Sequence, residues 1–244
     1  MKLNCDMGEG FGPWSMGMDA DVMPYVDMAN IACGFHASDP QIMSNTVALA
    51  VKHNVTVGAH PGYPDLLGFG RKEMKFSSSE IVNMVLYQVG ALQAICVSQG
   101  TSVEYVKPHG ALYNTMMRDK VVYVSILEAM SKLNLNIPLM IMANEHRDAL
   151  AKKADEFGVS LLFEAFCDRT YTDEGSLQSR QIKGAVHEDV DTIQAQATKM
   201  IVEQSVLTAS GNQIPIIADT LCVHGDSDLA VEAVKKIRGV LNAL

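Results

Sequence analysis

MANIACGFHASDPQIMSNTVALAVKHNVTVGAH, residues 28–60, holds the pattern that decides the fold. An apolar, β-like run at 28–33 leads into Ser38-Asp39-Pro40, a capping side chain followed by the residue favoured in a first helical turn. Apolar residues then recur at helical spacing over 41–53, and a second β-like run occupies 55–59. A strand, a helical crossover and a second strand in so short a span join parallel neighbours, which a tight hairpin cannot do.

The same rhythm extends in both directions. Upstream, a strand is expected at 2–5, with a short helix near 21–26. Downstream, Ser77-Ser78-Ser79-Glu80 forms a Ser-x-x-Glu capping box. The helix it opens carries Ile81, Val85, Val89, Leu92 and Ile95 on one side and stops at Gly100. Further strands are expected at 104–106, 138–142, 160–166 and 216–223, each followed by a helix: 121–133, 145–157, 189–209 and 229–241. Seven strands alternating with helices predict a single α/β domain over residues 1–244, an irregular, seven-stranded (β/α) barrel. An open doubly wound sheet is the alternative, but no G-x-G-x-x-G follows the first strand.

Composition narrows the partners. The 244 residues carry 19 Lys+Arg against 28 Asp+Glu, a net charge of −9, with no basic cluster. That balance argues against nucleic acid and against an anionic membrane. The apolar stretches at 137–143 and 214–218 are too short to span a bilayer. Asn4, Asp6 and Glu9 interrupt any signal-peptide core. Five cysteines, an odd number with no CxxC pair, read as reduced thiols and point to the cytoplasm. The 15 methionines are scattered through helical stretches and read as core filler.

In a parallel barrel the reactive groups gather where the strands end and the βα loops begin. Asp6 and Glu9 follow the first strand, His36 the second, His60 the third, and Lys107 and His109 the fourth. Asn144 and Glu145 follow the fifth strand, Glu164, Asp168 and Arg169 the sixth, and His224 with Asp226 the seventh. Four of the seven histidines therefore fall on one rim. Of the others, His53 suits a helix C-terminus, His146 a solvated helix start, and His187 has no assigned place. One such histidine alone is more simply a hydrogen-bonded loop residue; four beside Asp6 indicate a shared site. Two chemistries fit: a divalent metal on Asp6, His36, His60 and His109, or metal-free acid–base catalysis. Lys107, Arg71, Arg169 and Arg180 are candidate anion binders, the alternative being pairing with Asp65, Asp168 or Asp173. No G-x-x-x-x-G-K-[ST] phosphate loop is present.

Long segments carry a family resemblance. Residues 4–9 (NCDMGE), 29–40 (ANIACGFHASDP) and 58–71 (GAHPGYPDLLGFGR) resemble the LamB/YcsF family. So do 106–114 (VKPHGALYN), 164–171 (EAFCDRTY) and 222–226 (CVHGD). Gly62 and Ser38 are small-for-small variants of the pattern. The resemblance implies ATP-dependent opening of the 5-oxo-L-proline lactam to L-glutamate, with two further subunits, B and C. It also implies a barrel similar to those of the metal-dependent polysaccharide deacetylases. On this reading Asp6, His36, His60, His109 and His224 activate water or the lactam. Glu9, Arg71, Lys107, Asp168 and Arg169 are expected to hold substrate or a phosphorylated intermediate, with ATP as cosubstrate. The competing readings are a stand-alone metal-dependent deacetylase or amidohydrolase, and a non-catalytic barrel that binds substrate for the other subunits.

Overall fold

The structure, a computed structural model, describes residues 1–224 and 228–243; Asp226 lies outside them. Seven parallel strands close a barrel in the order β1 (Lys2–Met7), β2 (Met28–Ala32), β3 (Thr56–His60), β4 (Tyr105–Val106), β5 (Leu139–Met142), β6 (Leu161–Phe166) and β9 (Thr220–Cys222), and β9 pairs back onto β1. The expected seven-stranded barrel is thus what forms. Around it lie α1 (Asp19–Val22), α2 (Pro40–His53), α3 (Ser78–Ser98), α4 (Gly110–Arg118), α5 (Lys120–Leu133), α6 (Arg147–Asp155), α7 (Val190–Glu203) and α8 (Asp228–Asn242). An antiparallel hairpin of β7 (Ser205–Leu207) and β8 (Gln213–Pro215) stands outside the barrel.

Local signals place several of these elements. Asp39 caps α2 by accepting the N–H groups of Gln41 and Ile42, with Pro40 in the first turn. Ser77 and Glu80 form the reciprocal capping box of α3. That helix is long and apolar enough to cross a membrane by length and composition, a feature the shorter apolar runs did not suggest. Its Ile81, Val85, Val89, Leu92 and Cys96 are nevertheless buried in the layer between helices and barrel, as the core helix of a globular protein would be.

The barrel interior departs from the usual aliphatic filling. Alternation along β1 sends Leu3, Cys5 and Met7 outward into the helical layer and leaves Asn4 and Asp6 on the inward face. At one level Met28, Tyr105 and Met140 pack together. Gly58 makes room for the ring of Tyr105, because a Cβ there would lie 2.1 Å from its Cζ. Above that level the interior becomes polar. Asn4 donates to Thr220 and to the Leu221 carbonyl, Asn30 donates to Asn4 Oδ1, and the Tyr105 hydroxyl donates to Asn30 Oδ1.

Three expectations need correcting. Helix α4 stood unrecognised in what read as loop. The helix expected over 189–209 ends at Glu203, and its last residues form strand β7 instead. The strand expected over 216–223 is confined to Thr220–Cys222.

Candidate active site

The polar column inside the barrel rises to Asp6. Its Oδ1 accepts from Asn30 Nδ2 at 2.7 Å and from Lys107 Nζ at 3.1 Å. Its Oδ2 lies 3.4 Å from His60 Nε2 and 3.8 Å from His224 Nε2. Burial pushes the Asp6 carboxyl up, but His60 and Lys107 outweigh burial and hold it well below the usual carboxylate range. Asp6 is therefore an anion on the site's floor. It lies within β1, not beyond it, because that strand runs to Met7.

Lys107 is not a rim cation offered to ligand, as the sequence suggested. It is 2% exposed and ion-paired with Asp6 and with fully buried Glu164 at 2.9 Å, and Nζ also donates to Cys222 Sγ. Burial opposes its charge, yet these neighbours raise its pKa well above the usual lysine value. Glu164 likewise belongs to strand β6. Arg169 is also committed: its guanidinium donates to the carbonyls of Ala185 and Gln178, which fixes the loop after β6. Asp65 and Asp173, considered as arginine partners, bind within their own loops, Asp65 to the N–H groups of Gly68 and Lys72, Asp173 to the hydroxyls of Thr208 and Ser210. Arg71 lies over the Phe69 ring.

Three of the four rim histidines come together. His36 and His109 stack in parallel, ring centroids 3.7 Å apart, and His60 meets both edge-on. Gly70 permits this, since at φ +62 a Cβ would approach His36 and His109 within 2.8 Å. Backbone carbonyls set the tautomers of two rings. His60 Nδ1 is 2.7 Å from the Lys107 oxygen, and His109 Nε2 is 2.9 Å from the Phe69 oxygen. A carbonyl only accepts, so those nitrogens carry the protons. His109, neutral with its proton on Nε2, therefore presents the lone pair of Nδ1 to His60 Nε2, 3.0 Å away. Glu9 Oε1 lies 3.5 Å from His109 Nδ1 and 3.4 Å from His36 Nε2. Glu9 Oε1 and both ring nitrogens of His36 are buried without a hydrogen-bond partner. Burial first, then the neighbouring imidazoles, lowers the pKa of His36 and of His109 well below normal, so both are neutral.

Convergent donor atoms, those of Glu9 and His36 left without a partner, are the chemistry of a cation site. One atom from each of Glu9, His36, His60 and His109 lies within 4.8 Å of the others. Their closer spacings match the edge of a small tetrahedral site, about 3.3 Å for metal–nitrogen bonds of about 2.0–2.1 Å. The carboxylate grouped with the three histidines is Glu9; Asp6, expected there from sequence, is held through Oδ1 by Asn30 and Lys107 and keeps Oδ2 3.4 Å from His60 Nε2.

His224 stands apart on the β6–β9 side. Its Nδ1 bonds Asp168 Oδ2 at 2.6 Å, and its Nε2 lies 3.1 Å from Arg180 Nη2. Burial would lower its pKa, but Asp168 overrides this and raises it. Asp168, against its own burial, is held at about 2 by His224. Asp168 is thus first a partner for His224, with Oδ1 left unsatisfied. Of the remaining histidines, His53 ends α2, His146 is exposed before α6, and His187 contacts Gln196. Sequence reasoning missed Asn4 and Asn30 as organisers of the floor; their signal was polar residues at inward positions of otherwise apolar strands.

A closed parallel barrel with a histidine–carboxylate centre where its strands end defines this chain as a (β/α)-barrel protein. The chain belongs to the LamB/YcsF family, whose defining sequence pattern matches residues 1–244. It is 53% identical to the second 5-oxoprolinase A subunit of Pseudomonas putida, covering 100% of this chain and 95% of that one. The 5-oxoprolinase A subunit of Vibrio parahaemolyticus is 52% identical, over 98% of this chain and 94% of its own. Among solved structures, the lactam utilization protein of Thermus thermophilus superposes with a TM-score of 0.92 at 37% identity, covering 100% and 96% of the two chains.

Proposed function

We propose that this chain is the A subunit of an ATP-dependent 5-oxoprolinase, which opens 5-oxo-L-proline to L-glutamate with the B and C subunits. What carries the reading is the full-length similarity, at about half identity, to proteins named as 5-oxoprolinase A subunits. The site suits the chemistry. A lactam is a resonance-stabilised amide whose five-membered ring disfavours hydrolysis near neutrality. ATP, as cosubstrate, supplies the driving force by phosphorylating the amide oxygen. The residues of this chain orient the ring and move protons.

Asp6, ionised and pinned through Oδ1, keeps Oδ2 toward His60 and His224. Asp168 fixes the Nδ1–H tautomer of His224, so Nε2 is the nitrogen that takes a proton from water or gives one to the leaving ring nitrogen. A divalent cation held by Glu9, His36, His60 and His109 would act as a Lewis acid toward an oxygen of water or substrate. The five cysteines are unpaired and buried, which suits a cytoplasmic enzyme.

Reconstitution with each of the three components omitted in turn tests the assignment. The complete mixture is expected to release L-glutamate and ADP, and this chain alone neither, since it has no phosphate-binding loop of the Gly-Lys kind. His60→Ala and His109→Ala should each lower turnover by roughly 100-fold or more. Undiminished turnover in both would remove the site from the chemistry. The unsatisfied histidine–Glu9 cluster supports a second reading, a metal-dependent amidohydrolase acting alone. Chelator-sensitive, nucleotide-independent turnover by the isolated chain would establish that reading instead.

A further inference from the structure

Beside the histidine–carboxylate centre, on its β6–β9 side, a cavity of about 200 Å³ opens among Asp168, Arg180 and His224, with Val186, Ile193 and Val223 supplying apolar wall. It is smaller than the roughly 300–1,000 Å³ of pockets for drug-sized ligands. Its occupant is therefore a small molecule.

The polar groups on its lining define what that molecule must offer. Asp168 Oδ2 is occupied by the ring and the backbone N–H of His224, whereas buried Asp168 Oδ1 has no partner. An acceptor left unsatisfied in such a place calls for a ligand N–H or O–H. Arg180 is exposed, and its contact with His224 Nε2 uses one of the five donors a guanidinium carries. The planar fork that remains suits a carboxylate. Glu188, also on the lining, is exposed, so solvent screens its opposition to an anion. The ligand is then a compact acid with an N–H donor and an apolar edge.

We propose that this cavity seats the ring of 5-oxo-L-proline, with Arg180 pairing the substrate carboxylate and Asp168 Oδ1 accepting the lactam N–H. The inference rests on the 5-oxoprolinase reading and assigns that reaction a specificity residue, Arg180. His224 Nε2 sits between Arg180 and Asp6 Oδ2, at 3.1 and 3.8 Å, so a ring anchored at Arg180 lies beside this imidazole nitrogen. It accepts from Arg180 and is open to a proton from water once Arg180 turns to the substrate.

Steady-state kinetics of the three-component complex test the proposal. Arg180→Ala should lower kcat/KM for 5-oxo-L-proline roughly 10- to 100-fold, almost entirely through KM, and leave the KM for ATP unchanged. Arg180 is exposed, so the variant should fold, and a thermal melt of the variant chain checks that directly. An unchanged KM for 5-oxo-L-proline, or a loss confined to kcat, would overturn the assignment of Arg180 while the 5-oxoprolinase reading stood. A wild-type complex that releases no glutamate would instead bring down that reading and the inference with it.

Discussion

The two groups of histidines at the barrel mouth are built from the same side chain and solve opposite problems. On the β2–β4 side, His36, His60 and His109 crowd together, two of them driven to neutrality by burial and by one another, with acceptor atoms left over. On the β9 side, His224 stands with its own counter-ion, and Asp168 raises its pKa against burial. The first group brings together donor atoms that could hold a cation. The second is held at Nδ1 by Asp168 and meets Arg180 at Nε2. Asp6 lies between them, 3.4 Å from His60 and 3.8 Å from His224. Under the proposed function, electrostatic environment, more than residue type, would divide the rim into a binding half and a proton-transfer half.

The division predicts its largest effect in metal uptake. The wild-type chain should bind one zinc ion in competition with a chromophoric chelator. Glu9→Gln or His36→Gln should weaken that binding by roughly 100-fold or more, since even partners of metal ligands contribute 10–100-fold. His224→Gln should change it by less than about threefold. An equal loss in all three variants would merge the two groups into one site and abolish the comparison.

Legibility from sequence followed the range of the interactions involved. Capping by Asp39 and the Ser77–Glu80 box are local, and both could be read directly. Helix α4 was invisible because it follows His109, which caps nothing with its side chain, and begins at Gly110 in a positive-φ conformation. Ser205–Leu207 continued the apolar pattern of α7, and only pairing with Gln213–Pro215 makes it a strand. The histidines were found because each follows or ends a strand. Choosing Glu9 over Asp6 needed the true end of β1 and the Asn30–Lys107 clamp on Asp6, both set by residues distant in sequence. Lys107 and Arg169 looked available for the same reason: their partners, Glu164 and the carbonyls of Gln178 and Ala185, are joined to them only by the fold.

The proton-transfer half should reveal itself through pH. His224 has a raised folded pKa, so its contribution to stability is fully present below the unfolded histidine value, about 6.5, and disappears as pH rises through the folded value. Asp168 is depressed to about 2, so its contribution is present above about 4 and disappears as pH falls toward 2. The pair therefore stabilises most between about pH 4 and 6.5. Urea unfolding of wild type and His224→Gln should differ there by on the order of 2 kcal/mol, and by less at pH 8.5. A difference that stays constant from pH 5 to 8.5 would mean that His224 is held by packing and not by its charge.

The smallest effect separates how the two halves are held in place. Each rim is pinned by a helix glutamine, and the two are bonded differently. Gln88 of α3 is fully buried, accepts from the Gly62 N–H through Oε1 and donates to the Gly62 carbonyl through Nε2. Gln196 of α7 directs Nε2 at three carbonyls, those of Phe166, Cys167 and Arg169, and its Oε1 lies 3.2 Å from His187 Nε2. Replacing Gln88 by Leu strands both a buried donor and a buried acceptor, each costing roughly 1–3 kcal/mol when left unmade. Replacing Gln196 by Leu strands three carbonyls and the His187 ring nitrogen at a partly exposed position, where water can substitute, and should cost about 1 kcal/mol. Chemical denaturation of the two variants ranks them. Gln88→Leu should be the less stable and should also weaken zinc uptake, because Gly62 leads into the loop that brings Phe69 and Gly70 against His109. Gln196→Leu should leave zinc uptake unchanged and instead loosen the loop that holds Asp168 and Arg169, seen as faster amide exchange over residues 167–171. The reverse ranking, or zinc loss in Gln196→Leu, would show that the two halves do not stand independently.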